Sequence, residues 1–182
     1  MAKSQAEKAA AFEALHKAPG VFVIPNPWDP GSARMLAGLG FKALTTTSAG
    51  YARSIGFPDY NAGRENVMAH IRAMAPMVDV PLAADLEDGF GPKPEDCAET
   101  IRQGAAAGLV GGSIEDFTGD RSNPIYSIEA AADRVRAAAE AAKKLPFKFM
   151  LCARAENYLN GRQDLADTIK RMQAYQEAGA DV

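Results

Sequence analysis

The chain has 182 residues, of which 47% are hydrophobic and 24% are charged, and this composition is typical of a globular domain and excludes a disordered or collagen-like chain. The formal net charge of −3 gives neither a basic surface for nucleic acid nor a polybasic segment for an anionic membrane, so we expect a small-molecule partner. No apolar stretch approaches the roughly 20 residues of a membrane span. The two cysteines, Cys97 and Cys152, lie in no disulfide or zinc spacing, which predicts a reducing, cytoplasmic location.

Short apolar runs alternate with alanine-rich segments of helical period, and this alternation predicts βα units and a parallel sheet. The predicted strands are 21–24, 43–47, 81–85, 112–115 and 149–154. The predicted helices are 30–39, 61–74, 94–107, 127–144 and 163–178.

Three predicted helices end in Ala-Gly, where glycine can close a helix in the left-handed conformation: the glycines are Gly38, Gly108 and Gly179. The third copy announces a sixth strand at 179–182. Two α/β architectures fit, a (β/α)8 barrel or an open doubly wound sheet of five strands. Because a full barrel typically takes about 250 residues, the barrel interpretation makes residues 1–182 a single domain truncated at the start of its sixth strand.

Polar residues gather where each predicted strand ends, and in a barrel these ends all point to the face that carries the active site. This convergence is the main indication of an enzyme. The residues are Asn26 and Asp29, Thr45, Thr46, Thr47 and Ser48, Asp85, Glu87 and Asp88, Glu115 and Asp116, and Arg154 and Glu156.

Three of these carboxylates, Asp85, Glu87 and Glu115, have no His or Cys beside them and suit a hard cation, Mg²⁺ above all, with Mn²⁺ as an alternative. Acids at loop and helix starts are the alternative interpretation. Arg154 is expected to bind a substrate carboxylate, or else to form a structural salt bridge to Glu156 or Glu115.

Thr46, Thr47 and Ser48 offer hydroxyl and backbone N–H groups to a carboxylate or enolate oxygen, although threonine is also a common strand residue. Structural roles are expected for both histidines, His16 and His70, and for both cysteines. The loop 117–126 is either a mobile lid or a passive connection.

Five segments together resemble the isocitrate lyase and phosphoenolpyruvate mutase superfamily, in particular its carboxyvinyl-carboxyphosphonate phosphorylmutase-like members. The resemblance implies a (β/α)8 barrel that binds a 2-oxo acid or its enolate on Mg²⁺ and makes or breaks a C–C or C–P bond. It also implies a homotetramer. The segments are 25–33 (PNPWDPGSA), 46–59 (TTSAGYARSIGFPD), 84–91 (ADLEDGFG), 113–116 (SIED) and 153–156 (ARAE).

By the same resemblance Asp85 is the principal metal anchor, and Glu87 and Glu115 act directly or through water. Asp59 supports the metal site from outside the group of direct ligands. Thr46, Thr47, Ser48 and Arg154 hold the substrate carboxylate and keto oxygen.

Two departures from the superfamily pattern bear on the reaction. The lyases carry a Lys-Lys-Cys-Gly-His or Lys-Arg-Cys-Gly-His lid whose cysteine is the acid or base, whereas this chain has EDFTGDRSN at 115–123. The phosphonopyruvate enzymes instead use a lid with Lys and Asn, and by position Asn123 corresponds to that Asn while Arg121 lies near the place of the Lys. The resemblance therefore makes Asn123 and Arg121, together with Arg154, the candidate catalytic residues. In addition, Glu87 replaces the usual Asp.

The leading hypothesis is therefore a Mg²⁺-dependent lyase that cleaves a C–C bond of a 2-oxo or 2-hydroxy dicarboxylic acid through a metal-bound, pyruvate-type enolate. A phosphonopyruvate-class mutase or hydrolase is the first alternative. A catalytically silent barrel or binding module is the second.

Overall fold

The computed structural model describes residues 2–182, which form alternating helices and strands with one parallel sheet in the order β1-β2-β3-β4. The strands are β1 (Leu44–Thr45), β2 (Leu82–Asp85), β3 (Gly111–Glu115) and β4 (Met150–Arg154). The helices are α1 (Gln5–Lys17), α2 (Pro30–Gly38), α3 (Ser48–Ser54), α4 (Gly63–Met74) with a 3-10 turn at Ala75–Met77, α5 (Pro94–Ala107), α6 (Ile128–Lys143) and α7 (Leu165–Ala178).

All five predicted helices are confirmed, each to within two residues at either end, and three of them, α2, α6 and α7, begin at side-chain caps that are visible in the sequence. Asp29 accepts a hydrogen bond from Ser32 N at 2.6 Å at the start of α2. Ser127 and Asp164 cap α6 and α7 in the same way. The short helix α3 was not predicted, since its sequence resembles a turn of small residues.

The strand predicted at 21–24 is wrong: within the described residues this segment is assigned to neither helix nor strand. The burial of its side chains alternates as it would in a strand. Val21 and Val23 are exposed, whereas Phe22 and Ile24 pack against a small apolar cluster around Phe12 of α1. The apolar pattern thus indicates which side chains are buried, whereas a strand also needs a neighbouring backbone to pair with.

The Ala-Gly ends are confirmed at two of the three helices. Gly108 and Gly179 take φ values of 112° and 110°, and the chain turns at once toward the sheet. At the first copy the left-handed residue is Gly40 instead, with φ of 92°. After Gly179, Asp181 N donates to Leu151 O at 2.8 Å, so the chain runs beside β4 as expected for the start of a strand.

The sheet has two differently covered faces. The main core lies between the outer face and helices α2, α4, α5, α6 and α7, whereas Phe12 of α1 packs at the amino-terminal end of the inner face with Val110 and Met150. At the other end of the sheet, opposite Phe12, the carboxyl ends of the strands carry polar side chains. In residues 2–182 no helix is long and apolar enough to cross a membrane.

Candidate active site at the carboxyl ends of the strands

Parallel register sets the site residues in rows across the inner face. Asp85 pairs with Ser113 and Ser113 with Cys152, while Glu115 pairs with Arg154 one row further toward the carboxyl ends. Glu115 N also donates to Glu87 O at 3.0 Å, which links that row to the residues just after β2. A cavity of about 300 Å³ opens over these rows, and its lining includes Asp85, Arg154, Thr46, Thr47, Ser113 and Cys152.

Asp85 connects three segments of the site. Its Oδ2 lies 2.7 Å from Ser48 Oγ, and its Oδ1 accepts from Glu87 N at 3.2 Å and lies 3.3 Å from Arg154 Nη1. Ser48 Oγ is also 3.3 Å from Asp59 Oδ1. The carboxylate therefore stands at the centre of the predicted site, with Asp59 behind Ser48.

Glu87 is a buried carboxylate whose Oε1 has no hydrogen-bond partner among the described residues. Burial raises the pKa of its carboxyl group to about 8, and repulsion from Asp85 and Asp59 adds to this. Its φ of 51° is unusual for a residue with a side chain. A strained backbone thus holds a carboxyl oxygen, without a partner, close to other carboxylates.

Glu115 is buried between a phenol and a guanidinium. Tyr60 donates a hydrogen bond to its Oε1, and Arg154 Nη1 lies 3.1 Å from its Oε2. Burial raises the pKa of Glu115 to about 7 even though Arg154 opposes this rise. The structure thus brings together Asp85, Glu87, Glu115 and Arg154, as predicted from the strand ends.

Tyr60 was missed by the sequence analysis. Its φ of 64° and its contact with the ring of Phe117 turn the phenol toward Glu115. Neither the loop conformation nor the left-handed backbone of a tyrosine can be predicted from residue types. The one sequence feature that could have indicated Tyr60 is its position directly after Asp59.

The hydroxyl groups of the predicted substrate-binding segment are occupied within the protein. Thr46 Oγ1 accepts from Asp85 N at 3.3 Å, Thr47 Oγ1 caps α3 by accepting from Gly50 N at 3.2 Å, and Ser48 contacts Asp85. Thr46 and Thr47 nevertheless line the cavity. In this geometry the segment orders β2 and α3 around Asp85, and its role in substrate binding stays a prediction.

The loop 117–126 folds on itself: its first residues lie near Tyr60 and Glu87, whereas its middle is exposed. Thr118 N donates to Pro124 O at 2.8 Å, and Arg121 and Asn123 are both exposed. Asn123 Oδ1 is 3.4 Å from Arg162 Nη2 on the loop after β4. The structure therefore does not bring Arg121 or Asn123 together with the site, and their catalytic role stays a prediction.

The contacts among these carboxylates bear directly on the predicted metal site. Among residues 2–182 no three His, Cys, Asp or Glu side chains are grouped so that they could hold an ion directly. Mg²⁺, however, keeps several waters and binds through one or two carboxylates. The unpartnered Oε1 of Glu87 beside Asp85 and Asp59 fits such a cation, with the remaining acids acting through water.

Both cysteines are free, and burial raises the pKa of each thiol, to about 11 for Cys97. His16 lies between the rings of Phe12 and Phe22, and His70 stacks on Tyr51 at 3.9 Å between ring centroids. These contacts agree with the structural roles expected for all four side chains.

The chain is similar to known proteins along nearly its whole length. Residues 12–182 match the phosphoenolpyruvate phosphomutase family. A Burkholderia cenocepacia J2315 protein assigned only as a lyase/mutase is 57% identical, with a TM-score of 0.95 over 97% of this chain and 63% of that one. The 2-methylisocitrate lyase of Escherichia coli K12 is 33% identical over 79% of this chain and 50% of its own length.

A phosphonopyruvate hydrolase solved with oxalate and Mg²⁺ is 28% identical, with a TM-score of 0.84 over all of this chain and 62% of that one. This chain therefore spans between half and about 63% of the length of these relatives. The four-stranded parallel sheet and its helices follow the barrel of these enzymes, so the predicted (β/α)8 fold type is confirmed. The chain belongs to the phosphoenolpyruvate phosphomutase family, within the isocitrate lyase and phosphoenolpyruvate mutase superfamily.

Proposed function

We propose that this chain carries the cation-binding and carboxylate-binding part of a Mg²⁺-dependent lyase that cleaves a C–C bond of a 2-oxo or 2-hydroxy dicarboxylic acid through a pyruvate-type enolate. The observation that supports this most is the arrangement around Glu87. Its buried Oε1 has no partner among the described residues, and the charges of Asp85 and Asp59 are close enough to raise the pKa of its carboxyl group. Asp85, which accepts from Glu87 N, in turn lines the cavity together with Arg154.

Asp85, Glu87, Glu115 and Asp59 would hold the cation, Mg²⁺ or alternatively Mn²⁺, in part through water. When bound, the cation supplies positive charge that stabilises a developing oxyanion. Arg154 would bind and orient the substrate carboxylate, because its guanidinium lines the cavity with Thr46 and Thr47. Tyr60 and Phe117 cover the Glu115 side and limit the access of water.

A phosphonopyruvate-class mutase or hydrolase is the second candidate function. It is supported by the similarity to the phosphonopyruvate hydrolase and by Asn123 and Arg121 on the loop where the lyase cysteine motif is missing. For either reaction the loop 117–126 would have to move, since both side chains are exposed and Asn123 contacts Arg162.

The products formed from each substrate separate the two candidate functions. The protein is incubated with Mg²⁺ and a panel of substituted malates and oxaloacetate, and in parallel with phosphonopyruvate. The lyase proposal expects Mg²⁺-dependent pyruvate from one of the C–C substrates and no product from phosphonopyruvate. The second candidate expects no pyruvate from the C–C substrates, and from phosphonopyruvate either pyruvate and phosphate, for a hydrolase, or the isomer phosphoenolpyruvate, for a mutase.

Calorimetric titration with Mg²⁺ and oxalate, a mimic of pyruvate enolate, tests the site independently of turnover. Each ligand should bind more tightly in the presence of the other. No mutual enhancement, together with no turnover, would indicate a catalytically silent barrel or binding module. The wider proposal includes a homotetramer, to be measured by light scattering, and a cytoplasmic location, which the two free cysteines support.

A further inference from the structure

The guanidinium of Arg154 is held from one side by a single carboxylate oxygen. Arg154 Nε and Nη2 lie 3.1 Å and 2.7 Å from Glu156 Oε1, whereas Nη1 faces Asp85 and Glu115. Two contacts to one oxygen fix the plane of the guanidinium as well as its distance. Glu156 thereby determines which edge of Arg154 is turned toward the carboxylates.

Glu156 is itself fixed by the backbone on either side. It is 5% exposed, and its N–H donates to Asp116 Oδ1 at 2.8 Å. Asp116 N donates in turn to Arg154 O at 3.2 Å. The side chain and backbone of Asp116 therefore hold the chain on both sides of Ala155, between the guanidinium-bearing residue and the carboxylate that orients it.

Asp116 is anchored through its second oxygen to helix α7. Asp116 Oδ2 accepts from Tyr175 Oη at 2.5 Å and from Arg171 Nη1 at 3.1 Å, and all three residues are buried. The charge of Asp116 is therefore balanced by Arg171 without any contribution from Glu156. The Oδ1 contact to Glu156 N is an additional link, directed toward the site.

We propose that Glu156, held by Asp116, is a positioning residue that sets the orientation of Arg154 toward the substrate carboxylate. The geometry of this relay stands by itself, and its effect on ligand binding rests on the proposed function. Neither residue touches the substrate. Each acts through the next group in the order Asp116, Glu156 and Arg154.

Three variants separate orientation from simple packing. Glu156→Ala removes the acceptor for Arg154, whereas Glu156→Gln keeps an oxygen at the same place and should restore the contact. Tyr175→Phe is the matched control, because it removes a buried hydrogen bond to Asp116 but leaves the Oδ1 contact to Glu156 intact.

The ligand-free readout is the side-chain Nε–H resonance of Arg154 in ¹⁵N-correlated NMR spectra, assigned by its loss in Arg154→Lys. We expect faster solvent exchange of this proton in Glu156→Ala and near wild-type exchange in Glu156→Gln and Tyr175→Phe. Unchanged exchange in Glu156→Ala overturns the proposal, and so does equal acceleration in Glu156→Gln.

The link to Asp116 is tested by Asp116→Ala combined with Arg171→Met, which avoids burying an unpaired guanidinium. In the folded double variant the Arg154 proton should exchange as fast as in Glu156→Ala. Wild-type exchange there overturns the Asp116 step, and a double variant that does not fold leaves the Glu156 variants to decide the proposal.

The same variants are then titrated with oxalate at saturating Mg²⁺. Glu156→Ala should weaken oxalate binding about tenfold, as expected for a misdirected charge-assisted contact, and should leave Mg²⁺ affinity measured without oxalate unchanged. If the wild-type protein does not bind oxalate although the NMR effects are present, the proposed function fails and the positioning role stands.

Discussion

Arg154 Nη1 lies 3.1 Å from Glu115 Oε2, and the two residues are register partners on the adjacent strands β4 and β3. Burial disfavours charge on both groups, yet each stabilises the charge of the other, so Glu115 raises the pKa of Arg154 while Arg154 opposes the rise at Glu115. Parallel pairing thus places one cation among carboxylates that would otherwise repel one another.

Replacing Arg154 by lysine keeps this charge but removes the planar group. Lysine cannot contact Glu156, Asp85 and Glu115 at once, nor bind a carboxylate at two points. We expect Arg154→Lys to weaken oxalate binding in the presence of Mg²⁺ by about tenfold or more. Calorimetry measures this, with Arg162→Lys on the exposed loop after β4 as the matched control. Equal affinity in both variants would contradict the role of the guanidinium.

Asp85→Asn is predicted to reduce Mg²⁺ affinity by about tenfold or more, because it removes a charge from the centre of the carboxylate group. Asparagine is preferable to alanine here, since Asp85 also accepts hydrogen bonds from Ser48 and Glu87 that order α3 and the loop after β2. Circular dichroism should therefore show an unchanged fold.

The control for this variant is Asp120→Asn, which removes one charge from an exposed turn of the loop 117–126. It should leave Mg²⁺ affinity unchanged. If Asp85→Asn also binds Mg²⁺ as tightly as the wild-type protein does, the anchor lies elsewhere.

The clustering of polar residues at the strand ends could be predicted, because parallel pairing aligns residues that follow separate apolar runs. Asp85, Glu115 and Arg154 meet for this reason, and no knowledge of loop conformation was needed. Tyr60 could not be predicted, since its contact with Glu115 depends on a left-handed backbone in a loop of unremarkable sequence.

The prediction of strands is likewise limited because strands depend on contacts between distant parts of the chain. The segment 21–24 has the alternating burial of a strand, but pairing depends on which backbone lies beside it, and residue types do not contain that information. From the sequence, Glu156 was predicted to lie at a strand end and to be a potential salt-bridge partner of Arg154, but not to orient it. Its link to Asp116 runs through a backbone N–H group, which every residue type except proline carries.

The Ala-Gly ends give a paired prediction about stability. At Gly108 the φ of 112° disfavours a side chain, and a Cβ atom would lie 2.6 Å from Ala75 Cβ. Gly38 is the last residue of α2, and apart from its chain neighbours and the backbone of its own helix no described residue comes within 4 Å of a Cβ placed there. The two glycines therefore occupy equivalent sequence positions in different environments.

Gly108→Ala should lower the free energy of unfolding by about 2 kcal/mol, whereas Gly38→Ala should leave it unchanged or raise it by up to about 1 kcal/mol. Urea unfolding followed by circular dichroism measures both variants. Similar losses of unfolding free energy in the two variants would show that the left-handed conformation at Gly108 is not what destabilises Gly108→Ala.

His70 links stability to pH through its burial in α4. Burial lowers the pKa of its imidazole to about 4 from an ordinary 6.5, a shift that Asp29 partly opposes, and its ring stacks on Tyr51. Because the unfolded chain binds the proton more readily than the folded protein does, stability from this group is complete above pH 6.5 and is lost as the pH falls toward 4.

His70→Phe keeps a ring beside Tyr51 and removes the titration. Between pH 7.5 and pH 5.5 we expect the wild-type protein to lose about 1 kcal/mol more unfolding free energy than His70→Phe loses, because protonation of the unfolded histidine favours unfolding only in the wild type. Urea unfolding of both proteins at the two pH values measures this difference. The other histidine, His16, and the carboxyl groups are common to both proteins. Asp29 is the carboxylate coupled to His70, and since its pKa is lowered it stays ionised at both pH values. Equal losses would show that the imidazole of His70 takes up its proton as easily in the folded protein as in the unfolded chain.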